Sequence, residues 1–479
     1  MNKATDQSTR PPGNTQLLEK LVLFHLGAFV VVGAWAFGGQ SPGARQFILG
    51  WGTAGVGLFL WACRARRDRG GPRLHPALRL LWPLWLYDVL VIISCFNPGF
   101  REIVSGGQRA WVVADPIAWL PSAARPALSA RELWQFNGLV LSAFNLLLVL
   151  SRRRQVRALL LVLAGNAVVL AVFGTFQKLV RAKGLWFGLV ASPQPRFFST
   201  FVYHNHWGAF TLLNIAVCVA LLFYHYRRGG DRDIWHSPVL LGVVATLLLA
   251  ASVPLSASRS STILVALLLG GALLHLLLRV IRQRRAARRS AVAPVVAIVC
   301  TAALAAGAIS WLGRDVIAQR ARLTSDQVSR LAEEGMLTSR LTLYRDTWRM
   351  AAAKPWFGWG LECYGSVFPI YNSQRPVERW FTTPRYVEAH NDWFQALAEV
   401  GFVGTGLLVL LGALPLLSAP WRRGGSALPG QLLAGCGLLL LYAALEFPFA
   451  NPVVTLTFCT VFYCAVRYVE LDARAQDDR

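Results

Sequence analysis

The 479-residue chain is 55% hydrophobic, only 15% charged, and carries a formal net charge of +24. A soluble domain is about 25% charged, and several apolar runs here approach the roughly 20 residues that cross a bilayer, so the composition excludes a soluble globular protein and predicts an all-α polytopic membrane protein. The excess of positive charge sits in short clusters between apolar runs, as in loops that stay on the cytoplasmic side, and no basic domain is present to hold nucleic acid.

The first 18 residues are polar, with Pro11, Pro12 and Gly13, and read as a cytoplasmic tail. No cleavable signal peptide pattern follows, and the first apolar run reads as a retained helix. Apolar runs then occur at 20–38, 46–63, 79–96, 134–150, 157–180, 198–224, 238–255, 261–279, 291–312, 391–417, 430–447 and 452–468, about twelve spans in all. Every second connection is basic: Arg64, Arg66, Arg67, Arg69 and Arg73; Arg152, Arg153, Arg154 and Arg157; Arg227, Arg228 and Arg232; Arg282, Arg284, Arg285, Arg288 and Arg289; Arg422 and Arg423. That alternation puts those loops and both termini in the cytoplasm. The expected organisation is a tail over 1–18, nine membrane helices over 19–312, one large outer (periplasmic) loop over 313–389, three helices over 390–468 and a second cytoplasmic tail over 469–479. The segment 181–197 (RAKGLWFGLVASPQPRF), with Trp, Phe and Leu among basic residues and prolines, suits a stretch lying at the interface.

Eight cysteines show no CxxC pair or regular spacing, so neither a zinc site nor a disulfide framework is indicated. There is no P-loop, Rossmann glycine pattern, GxSxG or HExxH. Any chemistry therefore rests on polar residues that cluster on the outer side.

Arg259 lies in PLSASRSST, between spans seven and eight. An Arg at a membrane boundary either snorkels or has a partner; the small serines around it leave room for a phosphate, whose oxygens the planar guanidinium matches. The sequence SRLTLYRDTWRMAAA predicts a helix over 339–353. Helical spacing puts Tyr344, Trp348 and Ala351 on one stripe that includes Arg340, while Arg345 and Arg349 point away. A cation on a protein-facing stripe needs an anion, either a ligand phosphate or an internal carboxylate from Glu333, Glu334 or Asp346. His390 opens span ten, where the positive helix end favours a neutral imidazole, a candidate general base; the alternative is a helix cap, a role open also to Asn391 and Asp392. His204, Asn205 and His206 stand at the outer mouth of span six in STFVYHNHWGAF; with no partner set for a metal, they suit sugar or phosphate hydrogen bonding, or interface packing. Glu399, Asp88 and Glu446 are intramembrane carboxylates with either a functional or a structural pairing role.

At these residues the chain resembles the O-antigen ligase/polymerase superfamily of bacterial membrane glycosyltransferases. The resemblance rests on Ser258–Arg259–Ser260 at the outer end of a helix and on Arg340 followed by Trp348 and by Pro355-x-x-Gly358-x-Gly360. It rests further on His390–Asn391 with Glu399, Gly401 and Gly404 downstream, and on the Asn-containing STFVYHNHWGAF. Ile263 stands where ligases are described with Leu. The resemblance covers roughly 135–450 and implies a C-type glycosyltransferase-like fold.

It also implies a function at the periplasmic face of the bacterial inner membrane. An undecaprenyl-diphosphate-linked glycan would be the donor, and a sugar of the lipid A core (ligase) or another lipid-linked glycan (polymerase) the acceptor. Transfer would be inverting and need no metal or other cofactor. Catalysis is expected from Arg259 and Arg340 on the diphosphate and from His390 on the acceptor hydroxyl, with Arg345, Asn391, His204, Asn205 and His206 binding substrate. A secondary transporter or lipid flippase is the competing class, but its internal repeats and midplane sites are not visible in this sequence.

Overall fold

The computed structural model describes residues 13–67, 75–105, 108–229, 238–312, 339–373, 386–421 and 425–477. Most of the tail over 1–18, the basic residues Arg69, Arg73, Arg232, Arg422 and Arg423, and Glu333 and Glu334 lie outside these ranges.

Among the described residues the chain is almost wholly helical. In order come α1 (Gly13–Trp35), α2 (Pro42–Arg67), α3 (Trp82–Phe96), α4 (Pro126–Val149), α5 (Arg153–Leu179), α6 (His204–Gly229), α7 (Pro238–Leu255), α8 (Arg259–Ala286) and α9 (Val292–Leu312). They are followed by α10 (Ser339–Ala353), the single turn α11 (Tyr364–Val367), α12 (Asp392–Ser418), α13 (Leu428–Tyr442) and α14 (Pro452–Asp477). Every apolar run expected from the sequence is a helix. Ten are long and apolar enough to cross a membrane, and Val292–Ala308 and Leu428–Tyr442 are shorter apolar helices.

The boundaries differ from the sequence expectation at several ends: α1 begins at Gly13, inside the expected tail, and α13 ends at Tyr442, which leaves Glu446 outside the helix although the expected span was 430–447. The fourth span starts at Pro126, in the first turn, where a missing N–H costs nothing. The sixth starts only at His204, because residues 198–201 form a tight turn in which Phe198 and Phe201 exchange backbone hydrogen bonds and Ser199 has φ of 55°. The stretch 469–477, expected as a tail, continues α14, and its Asp472 pairs with Arg153 at the start of α5. A two-stranded antiparallel ribbon, β1 (Phe100–Ser105) and β2 (Gln108–Val113), in register Phe100 to Val113, lies between α3 and α4, and is an addition to the all-helical plan.

Two helices, α6 and α14, are buried on all sides, which is why they read as apolar all round rather than amphipathic. Trp207, Phe210, Leu213 and Ala216 of α6 meet the core, and Tyr463, Cys464 and Val466 of α14 are equally enclosed. Arg467, buried in α14, donates through Nε at 2.8 Å to the carbonyl of Leu150, which ends α4. The bond satisfies one of the orphan acceptors every helix end leaves. The segment after α5 packs Trp186 against Trp35 and Phe173, with ring centroids 5.6 and 5.4 Å away, while Leu189 is exposed.

Candidate active site

The site is assembled where α12 begins, and the position of α12 is fixed by a break in its own backbone. Gly401 has φ 65° and ψ −172° inside the helix, a conformation essentially reserved for glycine. The groups freed by the break are taken up by the Pro355-x-x-Gly358-x-Gly360 loop: Trp359 and Gly360 donate to Ala398 and Glu399 at 2.9 and 2.8 Å, and Phe402 and Val403 donate to Pro355 and Trp356 at 2.7 and 3.1 Å. The approach is close enough that a Cβ at Gly401 would stand 2.3 Å from the Trp356 carbonyl, and one at Gly358 2.3 Å from that of Glu399. Since this loop directly follows α10, the break clamps the end of α10 to α12 at residues 398–403, about a third of the way along it.

At that start Asn391 is the N-cap, its Oδ1 accepting from Phe394 N–H at 3.0 Å and its Nδ2 donating to Ala444 at 2.9 Å. His390, just outside, has φ of 52°, a left-handed geometry uncommon for a side chain other than glycine. Tyr344 of α10 donates to the His390 carbonyl at 2.9 Å and holds that turn in place.

The centre of the constellation is Glu446, in the short connection between α13 and α14. Its side chain is 3% exposed. Arg340 Nη2 donates to Oε1 at 2.5 Å, with Nη1 on the Leu445 carbonyl at 3.4 Å. His390 Nδ1 lies 3.4 Å from Oε2, and Tyr203 donates to the same oxygen at 3.3 Å. The cation and the imidazole therefore share one carboxylate, while 48% of the Arg340 side chain and 28% of that of His390 remain accessible. Burial alone would raise the Glu446 carboxyl; the His390 hydrogen bond and the Arg340 charge outweigh it and hold it below its ordinary value. Burial opposes the charge on Arg340, but Glu446 prevails and raises its pKa.

Behind Glu446 the polar contacts continue. Asn205 Nδ2 donates to Tyr203 Oη at 2.9 Å, and Ser258 Oγ donates to Asn205 Oδ1 at 2.7 Å. Ser258 immediately precedes the exposed Arg259, the first residue of α8. Segments distant in sequence thus connect at Glu446: Tyr203, Arg340 and His390 bond to its carboxylate, and Ser258 reaches it through Asn205 and Tyr203.

Of the expected catalytic set, Arg340 and His390 meet on the two oxygens of Glu446, whereas near Arg259 it is the preceding residue, Ser258, that is linked to the group, through Asn205 and Tyr203. The expected substrate binders fare differently. Asn391 is committed at both ends of its amide to the helix start. Asn205 is likewise committed within the hydrogen-bond chain. His204 and His206 are buried, with edge contacts to Tyr203 at 4.9 and 5.0 Å, and His206 Nε2 sits 3.2 Å from the Phe447 carbonyl; they pack the site from behind. Arg345 is exposed, 3.9 Å from Asp346, on the far side of α10 from Arg340.

The buried stripe of α10 is Leu343, Asp346, Thr347, Met350 and Ala351, so Arg340 falls within its angular range as expected, between Thr347 and Ala351, while Trp348 is exposed. Asp346 is spoken for by Ser373, whose N–H and Oγ donate to it at 2.8 and 2.6 Å. The partner of Arg340 is Glu446 instead. Glu399 is structural: its carboxylate accepts the backbone N–H groups of Glu362 and Tyr364 at 2.9 and 3.1 Å. Asp88 accepts from Asn137 at 2.8 Å.

Sequence reasoning missed Tyr203 and the central place of Glu446. The sequence hid Glu446 inside the apolar run 430–447, and only the end of α13 at Tyr442 places it in the connection 443–451 beside Arg340 and His390.

A family model described as O-antigen ligase matches residues 244–409, a stretch that holds Arg259, Arg340 and His390 and stops short of Glu446. No curated protein matches the chain.

Proposed function

Residues 244–409 belong to the O-antigen ligase/polymerase superfamily, and from that premise we propose that the protein transfers a glycan from undecaprenyl diphosphate to an acceptor sugar at the periplasmic face of the inner membrane, as a ligase acting on the lipid A core. The observation that carries the reading is the shared carboxylate of Glu446, which sets a phosphate-binding cation and a base nitrogen side by side.

In this reading the diphosphate lies against Arg340 and Arg259. Arg340 uses two of its N–H groups on Leu445 and Glu446, and a guanidinium has five. Charge grows on the leaving diphosphate as the anomeric carbon–oxygen bond breaks, and fixed guanidinium donors stabilise it there. His390 donates Nδ1–H to Glu446, which leaves Nε2 as the acceptor. Nε2 removes the proton from the acceptor hydroxyl as the hydroxyl oxygen forms the new bond to the anomeric carbon, with inversion. Glu446 stabilises the imidazolium so formed. The energy arrives with the donor, whose diphosphate is the leaving group.

The test is a deletion strain complemented with wild type, His390→Ala or Arg340→Ala, with lipid-linked and surface polysaccharide resolved on gels. A ligase leaves long glycans on the carrier and a bare lipid A core in the deletion strain, and neither variant restores the capped form. Accumulation of single repeat units makes the protein a polymerase of the same superfamily. Unchanged polysaccharide overturns the reading in favour of transport.

A further inference from the structure

The hydrogen bonds behind Glu446 have a single direction. Ser258 Oγ donates to Asn205 Oδ1, Asn205 Nδ2 donates to Tyr203 Oη, and Tyr203 donates to Glu446 Oε2, at 2.7, 2.9 and 3.3 Å. Each member gives its hydrogen toward the carboxylate, so the negative charge polarises the whole series. Asn205 and Ser258 are 8% and 1% exposed, and a break in the series would strand a buried polar group.

The backbone supports the same arrangement. Ala257 has φ of 65°, turning the chain sharply between α7 and α8 so that Ser258 faces α6. Gly208 lets the two helices meet, since a Cβ there would lie 2.1 Å from Ser261 Oγ. The Tyr203 ring stacks on Phe447 at 5.2 Å, and Phe447 meets the His390 ring edge-on at 4.6 Å.

We propose that Tyr203 is a positioning residue which, through Asn205 and Ser258, ties the turn presenting Arg259 to the carboxylate holding Arg340 and His390, so that the two arginines and the base engage one diphosphate-linked donor in fixed register. The proposal rests on the transfer reaction above. Without the tie, Arg259 can occupy positions that miss the diphosphate held by Arg340, and the Glu446 carboxylate can rotate away from His390. Transfer is sensitive to such displacements because positioning of the reacting groups contributes much of the rate.

The experiment uses the full-length protein in proteoliposomes. Carrier-linked glycan and acceptor glycolipid are extracted from the deletion strain, and undecaprenyl diphosphate serves as competitor. Tyr203→Phe and Ser258→Ala are each expected to lower kcat/KM about tenfold, the effect of losing one hydrogen bond in a charged series. Both weaken inhibition by undecaprenyl diphosphate severalfold, whereas Ser258→Thr, which keeps the hydroxyl, stays within about twofold of wild type.

The double variant is expected to be no worse than the poorer single one, because both cut the same connection. Independent, multiplying losses overturn the tie, as does a Ser258→Thr protein as poor as Ser258→Ala. Thermal midpoints measured on the same samples separate these effects from misfolding, and the Ser258→Ala and Ser258→Thr pair keeps the test decisive even where Tyr203→Phe folds poorly. His390→Ala and Arg340→Ala in the same assay keep the two ideas apart. Full transfer by them overturns the reaction itself; lost transfer with multiplying losses at 203 and 258 overturns only the tie.

Discussion

Replacing Glu446 with Gln keeps its size and removes its charge. In the wild type Oε1 accepts from Arg340 at 2.5 Å, and Oε2 faces both Tyr203 and His390 at 3.3 and 3.4 Å. An amide has one carbonyl oxygen and one NH2. With the oxygen kept on Arg340, the NH2 confronts two donors. Tyr203 can turn to accept, but His390 must then present Nδ1 as an acceptor and carry its proton on Nε2, where it no longer removes a proton from a hydroxyl.

With the amide reversed, the NH2 faces Arg340 and the charge-assisted bond is lost. Such a bond contributes about 1.5–3 kcal/mol. Because nearly half of the Arg340 side chain is exposed, solvent screening places the stability loss at the low end, about 1.5 kcal/mol or less. Catalysis suffers more, since a general base contributes about 10²–10⁴-fold. Glu446→Gln should therefore lose about 100-fold or more in kcat, with donor KM little changed, and only a few degrees in thermal midpoint. Glu446→Asp keeps the charge but is one methylene short, and should recover part of the rate. Transfer kinetics in proteoliposomes, paired with tryptophan-monitored unfolding, measure both quantities. A Glu446→Gln protein with more than half the wild-type kcat would refute the shared-carboxylate mechanism.

Other outcomes follow from the same geometry. The folded-state pKa of Glu446 is depressed, so its stabilising pair is fully present above the ordinary value of 4.5 and is lost as pH falls through the depressed one; the stability gap between wild type and Glu446→Gln should close on acidification. Burial, with Glu362 nearby, pushes Glu388 up to about 8 from 4.5, so stability falls as pH rises across that window. Glu388→Gln should accordingly raise the thermal midpoint at pH above 8 and leave it unchanged near pH 4. Gly401→Ala places a Cβ 2.3 Å from the Trp356 carbonyl in a glycine-only conformation; strain of about 1–3 kcal/mol plus displacement of the loop should cut the yield of monodisperse protein on size-exclusion chromatography. Glu399→Gln turns an amide donor toward the Glu362 or Tyr364 N–H and should cost about 1–3 kcal/mol, while transfer per folded molecule stays near wild type; a selective loss of kcat would give Glu399 a functional role after all.

The parts of this molecule written in local pattern were legible in its sequence. Apolar runs gave every long helix, because hydropathy integrates over some twenty residues and tolerates errors at each end. The helix over 339–353 was legible from its helical spacing rather than from hydropathy. What escaped was pairing. Periodicity put Tyr344, Trp348 and Ala351 on the inner stripe of α10; the helix does bury Ala351, but with Leu343, Asp346, Thr347 and Met350, while Trp348 is exposed. The reason is tertiary: Tyr364 bonds to Thr347 at 2.8 Å and Ser373 to Asp346, polar partners that hydrophobic periodicity does not register. Asn391 and Asn205 read as substrate ligands in the sequence because amides serve equally as caps, connectors and ligands; only their partners tell these uses apart. Glu446, 56 residues beyond His390, could be assigned only by asking which anion neutralises each cation on one side of the membrane.

The interruption at Gly401 also bears on how the chain is made. A membrane helix with unpaired backbone groups is costly to hold in hydrocarbon, and here the groups that relieve the cost come from residues 355–360. Those residues leave the ribosome before the helix that needs them. The patch is therefore synthesised ahead of the gap, and α12 can close against it as it emerges. Deleting or reordering the segment between them would leave a span that is apolar enough to insert yet has nothing to complete it, a ready substrate for membrane quality control.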